Sequence, residues 1–221
     1  EWEHLLIDGA ATLGVKLRPD HTRLFARHAV ELLRWNAVTN LTAITQPEGI
    51  ARNHFLDALA PAPFIAPGSD LLDVGSGGGF PGLPLHMAIE GLRTTLIDAV
   101  RKKVSFLRYL LRELALTGIE ARHLRVEELR APGTDHRQTY DVITSRAFSA
   151  VAPFVRTVWP LVRPDGRVIA LKGQISASEM DALEAVRASG GIGADITIER
   201  VGYSIPGLKS ERTLVIVRRG S

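Results

Sequence analysis

The chain has 221 residues, of which 45% are apolar and none is cysteine, and its formal net charge at pH 7 is +3. This length suits one α/β core with a modest additional unit, and the lack of cysteine excludes disulfides, thiolate metal sites and a thiol nucleophile. No apolar run approaches the roughly 20 residues that cross a bilayer, and residues 1–30 lack the pattern of a secretory signal, so we expect a cytoplasmic protein without a membrane partner.

The charge is distributed unevenly along the chain. Residues 1–100 contain 7 Lys and Arg against 11 Asp and Glu, whereas residues 101–221 contain 20 against 13. The second half therefore carries the positive charge, which favours a polyanionic partner on that side. A solvated arginine-rich surface would give the same counts, so composition leaves both interpretations open.

The first predicted elements are helices. Apolar residues recur at helical spacing from residue 1 to about residue 64, and Pro19 suits the start of a helix. The prolines of PAPFIAPG, residues 61–68, then interrupt the pattern. We therefore predict a helical N-terminal cap over residues 1–66 and a second domain over residues 67–221.

Short β-type runs alternate with helix-length segments after this boundary. This alternation predicts parallel pairing in a doubly wound, Rossmann-like α/β sheet of seven strands. The last two runs are joined by GYSIPGLKSER without a helix, which predicts an antiparallel pair at the end of the sheet. The seven runs are LLDVG (71–75), TTLIDA (94–99), IEARHLRV (119–126), YDVITSRA (140–147), GRVIALKG (166–173), ADITIERV (194–201) and TLVIVRR (213–219).

A glycine-rich turn follows the first predicted strand in LLDVGSGGGFPGLPL, residues 71–85. In a doubly wound sheet this turn lies at the carboxyl edge, where such proteins bind nucleotides. Gly77, Gly79 and Gly82 match the G-x-G-x-x-G fingerprint of dinucleotide-binding proteins. The match starts late relative to the strand, and Pro81 lacks the N–H group that a pyrophosphate needs. An NAD-dependent reductase is therefore kept only as an alternative.

A different register fits the end of the strand. It is D-x-G-x-G-x-G, formed by Asp73, Gly75, Gly77 and Gly79. An aspartate at this edge repels a phosphate and attracts an ammonium group. The turn therefore favours a nucleoside ligand with an amino-acid tail, of which S-adenosylmethionine is the common one.

Acidic residues also follow the second and third predicted strands. Asp98 lies 23 residues after Gly75, at the position where an acid accepts hydrogen bonds from ribose hydroxyls. Val126 and Glu127 follow the third strand and would flank the adenine. Asp98 or Glu127 could instead cap the following helix.

Seven motifs occur together between about Asn36 and Val217. They are NLTAI (40–44), HFLDAL (54–59), LLDVGSGGGFPGLPL (71–85), LIDAVRKKVSFL (96–107), RVEEL (125–129), TSRAF (144–148) and LKGQ (171–174). DVGSGGG alone is typical of methyltransferases in general, whereas FPG combined with SRAF and LKGQ is far more specific. In this combination and order the sequence resembles the glucose-inhibited division protein B family of bacterial small-subunit ribosomal RNA guanine-N7 methyltransferases.

The resemblance implies a class I S-adenosylmethionine-dependent methyltransferase that modifies N7 of guanine-527 in a decoding-region stem-loop of 16S rRNA. We expect a monomer that needs no metal and acts on 16S rRNA within a partly assembled 30S subunit, because a small cap cannot read an extended RNA shape. A non-enzymatic ribosome or cell-division factor is the other alternative. The implied cofactor contacts are Gly75, Phe80, Asp98, Ala99, Val100, Val126, Glu127 and Arg146.

The residues themselves support this chemistry. Without cysteine the covalent route to C5 of a pyrimidine is closed. TSRAF lacks the Asn/Asp-Pro-Pro-aromatic cluster of exocyclic amine methylation, and Lys16 is the only lysine in residues 1–101, which disfavours methylation of a ribose hydroxyl. Guanine N7 is among the remaining nucleophiles, since its lone pair carries no proton.

Arg146 and Lys172 are the predicted catalytic residues, because both follow strands that finish at the same edge of the sheet. Either side chain suits a contact to guanine O6 or to a phosphate, but not to N7, which must stay free to react. Arg146 could instead form a structural pair with Glu127 or Asp141.

Several further residues have two interpretations. Arg101, Lys102 and Lys103 open a helix at the binding edge and, with Lys172, are the predicted RNA-phosphate contacts, although such residues are often only solvated. Phe80 and Phe148 suit either stacking on a base or packing in the core. His54 and Asp57 lie three residues apart on a predicted helix, where two residues without a third partner favour a structural role over a metal site.

Overall fold

A computed structural model describes residues 1–130, 139–146, 148, 150–190, 192 and 196–219. In this part of the chain seven strands form one sheet in the order β3-β2-β1-β4-β5-β7-β6, and β7 runs antiparallel to its two neighbours. The sheet therefore has the predicted doubly wound form with an antiparallel end. The strands are β1 (Asp70–Val74), β2 (Arg93–Asp98), β3 (Ile119–His123), β4 (Tyr140–Ser145), β5 (Val162–Lys172), β6 (Ile196–Tyr203) and β7 (Arg212–Arg219).

Helices cover both faces of the sheet. One hydrophobic cluster joins α1, α2, α5 and α6 to one face, and a second joins α7 and α8 to the other. None of the described helices is long and apolar enough to cross a bilayer. The helices are α1 (Trp2–Thr12), α2 (Pro19–Thr39), α3 (Pro47–Ile50), α4 (Asp57–Leu59), α5 (Gly82–Ala88), α6 (Arg101–Glu113), α7 (Val151–Val158) and α8 (Ala177–Ala188), with a π-helical turn over Ala51–Leu56 between α3 and α4.

The sequence patterns explain the central elements. Leu71 and Leu72 of β1 are both fully buried but belong to different clusters, because successive side chains of a strand point to opposite faces of the sheet. In α6 the side chains of Val104, Leu107 and Leu111 step by three and four residues and are buried against the sheet.

The N-terminal helices are not separated from the sheet by solvent. Leu6, Phe25 and Phe55 belong to the same buried cluster as Phe80 and Leu107 of the second region. Helix α2 begins at Pro19, as predicted. The division into units 1–66 and 67–221 stays a prediction, and the shared cluster means that the two regions are packed as one core.

Some predicted strand ends differ from the structure. The prediction that β3 continues to Val126 is wrong, because its ladder with β2 ends at His123 and a 3-10 turn, Val126–Arg130, follows. β5 begins at Val162, earlier than its apolar run suggests. The prediction that β4 continues past Ser145 is wrong at Arg146, which lies outside the strand, whereas Ala147 and the predicted start of β6 at residue 194 lie outside the described residues.

Candidate active site

The glycine turn directly follows β1 at the carboxyl edge of the sheet. Gly75, Gly77 and Gly79 have φ of +74°, +57° and +97°, a region that side-chain-bearing residues rarely adopt. The backbone N–H groups of Gly75 and Ser76 donate to the carbonyl of Ile97 on β2 at 2.9 and 3.0 Å. The alternating glycines are therefore required by the shape of the turn.

Asp73 supports this turn from within the protein. Its side chain has no exposed surface, Oδ2 accepts from the N–H of Gly82 at 3.0 Å, and Oδ1 lies 3.5 Å from the hydroxyl of Thr144. Burial raises the pKa of Asp73 to about 6. The geometry supports a role in holding the turn and the start of α5, and not the direct contact with a ligand ammonium that we expected.

Asp98 connects the glycine turn to helix α6. It is 6% exposed, Oδ2 accepts from the N–H of Gly77 at 3.0 Å, and Oδ1 accepts from the N–H of Val100 at 2.8 Å. Val100 is the N-cap residue of α6 and no side chain in the described part of the chain caps this helix, so the capping alternative for Asp98 is wrong, and Asp98 binds the N–H of Val100 itself. Each carboxylate oxygen has a second lone pair, so these bonds leave acceptor capacity for a ligand.

A cavity of about 160 Å³ opens between the ends of β1, β2 and β3. The predicted residues on its lining are Gly75, Asp98, Ala99, Val126, Glu127 and Phe148. Val126 is buried, whereas Glu127 is exposed in the 3-10 turn. The structure thus brings the predicted nucleoside contacts of three consecutive strands into one recess.

Phe80 is directed into the core. Its ring is 3% exposed and stacks on the imidazoles of His28 and His54, with centroid distances of 4.7 and 4.9 Å. The guanidinium carbon of Arg146 lies 5.3 Å from the centroid of the same ring. Of the two interpretations for Phe80, core packing is the one its side chain adopts.

The imidazole rings of the two histidines beside Phe80 make one hydrogen bond each among the described residues. Nε2 of His28 lies 2.7 Å from the carbonyl oxygen of Gly78, and Nε2 of His54 lies 2.7 Å from the hydroxyl of Thr42. Burial lowers the pKa of His28 to about 3 and that of His54 to about 4. Both rings are therefore neutral at physiological pH.

Arg146 is held by the N-terminal helices, and its partners are not those we considered. It donates to the carbonyl of Asn53 at 3.0 Å and lies 3.5 Å from the carboxylate of Asp57. The suggested pairing with Asp141 is wrong, because Asp141 binds Arg163 at 2.7 Å.

Asp57 is the centre of this ion-pair network. It is 2% exposed, forms an ion pair with Arg212 at 3.1 Å and accepts from the hydroxyl of Tyr203 at 2.7 Å. Desolvation and the neighbouring Asp57 raise the pKa of Tyr203, which therefore stays protonated.

The described residues contain no group of three or more His, Asp or Glu side chains that suits a metal. His54 and Asp57 both have structural partners.

The other predicted basic residues do not line the recess. Nζ of Lys172 lies 3.1 Å from Glu179 and 3.5 Å from the carbonyl oxygen of Phe148. The side chain of Phe148 is 36% exposed and stacks on Phe154 at 4.5 Å. Arg101 and Lys102 are exposed in the first turn of α6, and Lys103 is half-buried.

Residues 21–196 match the family described as GidB, rRNA small subunit methyltransferase G. The chain belongs to this family. A ribosomal RNA small subunit methyltransferase G from Geobacter sulfurreducens is 42% identical over 212 residues, covering 96% of this chain and 94% of the relative. The protein of that name from Roseiflexus sp. strain RS-1 is 41% identical, covering 97% and 90%. This membership decides against the NAD-dependent reductase and the non-enzymatic factor.

Solved structures share the fold of this methyltransferase G family member at low sequence identity. A SAM-dependent methyltransferase from Aquifex aeolicus superposes with a TM-score of 0.56 at 16% identity, covering 78% of this chain and 93% of that one. The 1,6-didemethyltoxoflavin-N1-methyltransferase of Burkholderia thailandensis, which contains S-adenosylhomocysteine, gives 0.53 at 18% identity and covers 75% and 76%. These likenesses show the Rossmann-like methyltransferase fold.

Three further residues around Arg146 belong to none of the motifs or candidate sites in the sequence of this family member. They are Asn53, Tyr203 and Arg212, and Arg212 also donates to the side-chain oxygen of Asn53 at 2.8 Å. The position of Arg212 in the sequence does indicate its place near this edge of the sheet. An antiparallel last strand begins at the edge where its parallel neighbours end, and Thr213 pairs with Lys172.

Proposed function

We propose that this member of the rRNA small subunit methyltransferase G family transfers the methyl group of S-adenosylmethionine to N7 of a guanine in small-subunit rRNA. The observation that carries the proposal is the recess between β1, β2 and β3, where the positive-φ glycine turn and Asp98 meet Val126 and Glu127. This is the crevice at which doubly wound proteins bind nucleosides.

The recess suits each part of the cofactor. Asp98 would accept hydrogen bonds from the ribose hydroxyls through its free lone pairs, while the buried side chain of Val126 provides an apolar contact for adenine. Glu127 would accept from the adenine amino group. The backbone around Gly75, without a side chain, allows the amino-acid tail to approach closely. When bound, S-adenosylmethionine supplies an electrophilic methyl group on a sulfonium.

Residues of the chain then position the guanine. N7 carries no proton, so the reaction needs no catalytic base, and the protein contributes alignment and exclusion of water. Arg146 has a fixed orientation because Asn53 and Asp57 bind its guanidinium. We assign Arg146 and Lys172 to contacts with guanine O6 or the adjacent phosphate, since hydrogen bonds to O6 leave N7 free.

The setting of the reaction follows from the size of the protein. We propose a monomer and a cytoplasmic reaction on 16S rRNA within a partly assembled 30S subunit. An RNA folded by ribosomal proteins presents a defined shape that a small helical cap does not have to read alone. Arg101, Lys102 and Lys103 are the proposed phosphate contacts.

The decisive experiment combines deletion and reconstitution. Small subunits from cells lacking the gene are incubated with the purified protein and S-adenosylmethionine, and nuclease-digested RNA is analysed by mass spectrometry. We expect 7-methylguanosine at one site only after incubation, and faster on partly assembled subunits than on free 16S rRNA. A methyl group on another atom would refute the N7 assignment, and equal rates on both RNAs would refute the proposed assembly state.

A further inference from the structure

The glycine turn contacts helix α2 through its middle residues. A Cβ atom at Gly78 would lie 2.8 Å from Cδ1 of Leu32, and a Cβ atom at Gly79 would lie 3.3 Å from Cε1 of His28. These distances are at or below the closest ordinary carbon contacts, so α2 packs directly on the backbone of the turn. A movement of α2 would therefore be transmitted to the turn.

His28 is the polar contact in this packing. A carbonyl oxygen can only accept, so the 2.7 Å contact with Gly78 requires the proton on Nε2, which leaves Nδ1 as the unprotonated nitrogen. Nδ1 is buried and has no hydrogen-bond partner within the described part of the chain. The ring also stacks on Phe80 at an interplanar angle of 12°. One fully buried side chain thus contacts Gly78 within the turn and Phe80 directly after it.

We infer that His28 is a positioning residue for the cofactor, which fixes the turn from Gly75 to Gly79 in the conformation that binds S-adenosylmethionine. The inference rests on the proposed function. It assigns to helix α2 of the N-terminal region a part in cofactor binding, although α2 supplies no residue to the lining of the recess.

The reason for this role is the composition of the turn. A segment with glycine at residues 75, 77, 78 and 79 has more backbone freedom than one built from residues with side chains, and its ordering opposes ligand binding. The hydrogen bond to Gly78 and the stacking on Phe80 restrict that freedom before the ligand arrives. Loss of the restriction should lower cofactor affinity and leave the methyl-transfer step largely unchanged once cofactor is saturating.

Two substitutions separate the contributions of the ring and its proton. His28→Phe keeps a stacking ring but leaves the buried carbonyl of Gly78 without a donor, whereas His28→Gln places an amide N–H at about the reach of Nε2. We expect His28→Phe to weaken S-adenosylmethionine binding about tenfold. Leaving the buried carbonyl of Gly78 unsatisfied costs free energy, so the turn favours other conformations, and binding must restore the original one. His28→Gln should restore most of the affinity. The measurements are the Kd by calorimetry and the KM and kcat of methyl transfer.

His21 provides the matched control on the same helix. It is 3% exposed, lies two turns before His28, and accepts from the N–H of Arg18 at 3.3 Å, away from the glycine turn. His21→Phe should destabilise the fold yet leave the Kd for S-adenosylmethionine within about twofold of the wild type, since it touches no residue of the turn.

Each outcome decides the inference. A raised KM for S-adenosylmethionine with kcat within about twofold, together with rescue by glutamine, would support it. An unchanged Kd in His28→Phe, or an equal loss of affinity in His21→Phe, would overturn it while the proposed function stands. Absence of S-adenosylmethionine binding by the wild-type protein would instead refute the proposed function, and the inference with it.

Discussion

At the scale of single residues, the carboxylates near the recess differ in what surrounds them. Asp73 is closed off behind the turn, Asp98 faces the recess, and Asp57 lies under Arg146 and Arg212. The sequence places Asp73 and Asp98 at one sheet edge and Asp57 on a helix before the sheet, but does not show which of them meets a ligand. Burial and partners decide this, because a carboxylate without exposed surface cannot bind a ligand without a rearrangement.

We expect Asp57→Ala to be strongly destabilising. It removes the carboxylate that two partly buried guanidinium groups and the half-buried hydroxyl of Tyr203 share, and breaking a buried ion pair typically costs about 3 to 5 kcal/mol of unfolding free energy. Urea unfolding measures the change. The exposed pair of Arg18 and Asp20 is the control, and Asp20→Ala should have a much smaller effect on the unfolding free energy because water replaces the lost contact. Similar losses for the two variants would contradict the importance of the Asp57 network.

The absence of a catalytic base gives a second expectation. Single-turnover methyl transfer at saturating cofactor and RNA should be nearly level between about pH 6.5 and 8, whereas removal of a proton would raise the rate about tenfold per unit below the pKa of the base. Arg146→Ala and Lys172→Ala should slow transfer without adding a pH dependence. A log rate that rises with unit slope through neutrality would show that a proton is removed and that N7 is not the nucleophile.

At the scale of elements, two helical segments and one strand meet behind the glycine turn. Helix α2 contributes His28, the π-helical turn Ala51–Leu56 contributes His54, and β1 contributes Asp73. Burial favours the neutral form of all three side chains. At low pH this makes the histidines lower the unfolding free energy and the aspartate raise it. The buried histidines resist protonation, whereas the buried aspartate accepts a proton more readily than in water.

The unfolding free energy should fall as the pH is lowered from about 6.5 to 4.5. In this window the unfolded chain protonates both imidazoles and the folded chain does not, which favours unfolding. Asp73 acts in the opposite sense below about pH 6, because the folded chain binds its proton first. In total the unfolded chain binds about one proton more than the folded chain, so the unfolding free energy falls by about 1.4 kcal/mol per pH unit. The lowered pKa values of His21 and His86 steepen this fall.

Variants test the sign of each contribution to this slope. Urea unfolding at several pH values should show a shallower slope for His54→Phe, which removes one imidazole, and a steeper slope for Asp73→Asn, which removes the opposing carboxyl. Phe55 packs against His28 and Phe80 and is the control, because Phe55→Leu changes the same cluster without removing a titratable group and should leave the slope unchanged. A slope that is unaffected by either core substitution would rule out these residues as its source.

At the scale of the whole molecule, the sheet order sets the position of the positive charge. Helix α6 packs on β2 and β3, which lie at the opposite edge of the sheet from β6. The helix begins at Arg101, three residues after Asp98, which lines the recess. Its exposed first turn therefore lies beside the cofactor-binding edge. A phosphate chain that delivers a guanine to the recess would pass within reach of Arg101 and Lys102.

Salt dependence measures this contact. Reversing the charge at Arg101, Lys102 and Lys103 should weaken binding of small-subunit RNA and flatten the plot of log affinity against log salt by about one unit per lost phosphate contact. Arg200→Glu, on the exposed part of β6 at the other edge, should leave the slope unchanged. If the slope changes equally in both variants, the RNA does not cross the start of α6.

The sequence by itself determined the fold class, the seven strands, the glycine turn and the family. These features depend on local patterns: a period of two or 3.6 residues, glycine where φ is positive, and short motifs whose residues are close in sequence. The convergence of Gly75, Asp98 and Val126 on one recess was also predictable, since parallel strands end at the same edge of the sheet.

Only the tertiary structure decided which of those residues face the recess and what fixes them. Asp57 meets Arg146 and Tyr203 across 89 and 146 residues of sequence, and His28 meets Gly78 across 50. Such contacts follow no periodicity, because they arise where the N-terminal helices pack on the sheet. The burial of Asp73 and Phe80 has the same origin: a strand end or a turn is open to ligand only on the side that no helix covers.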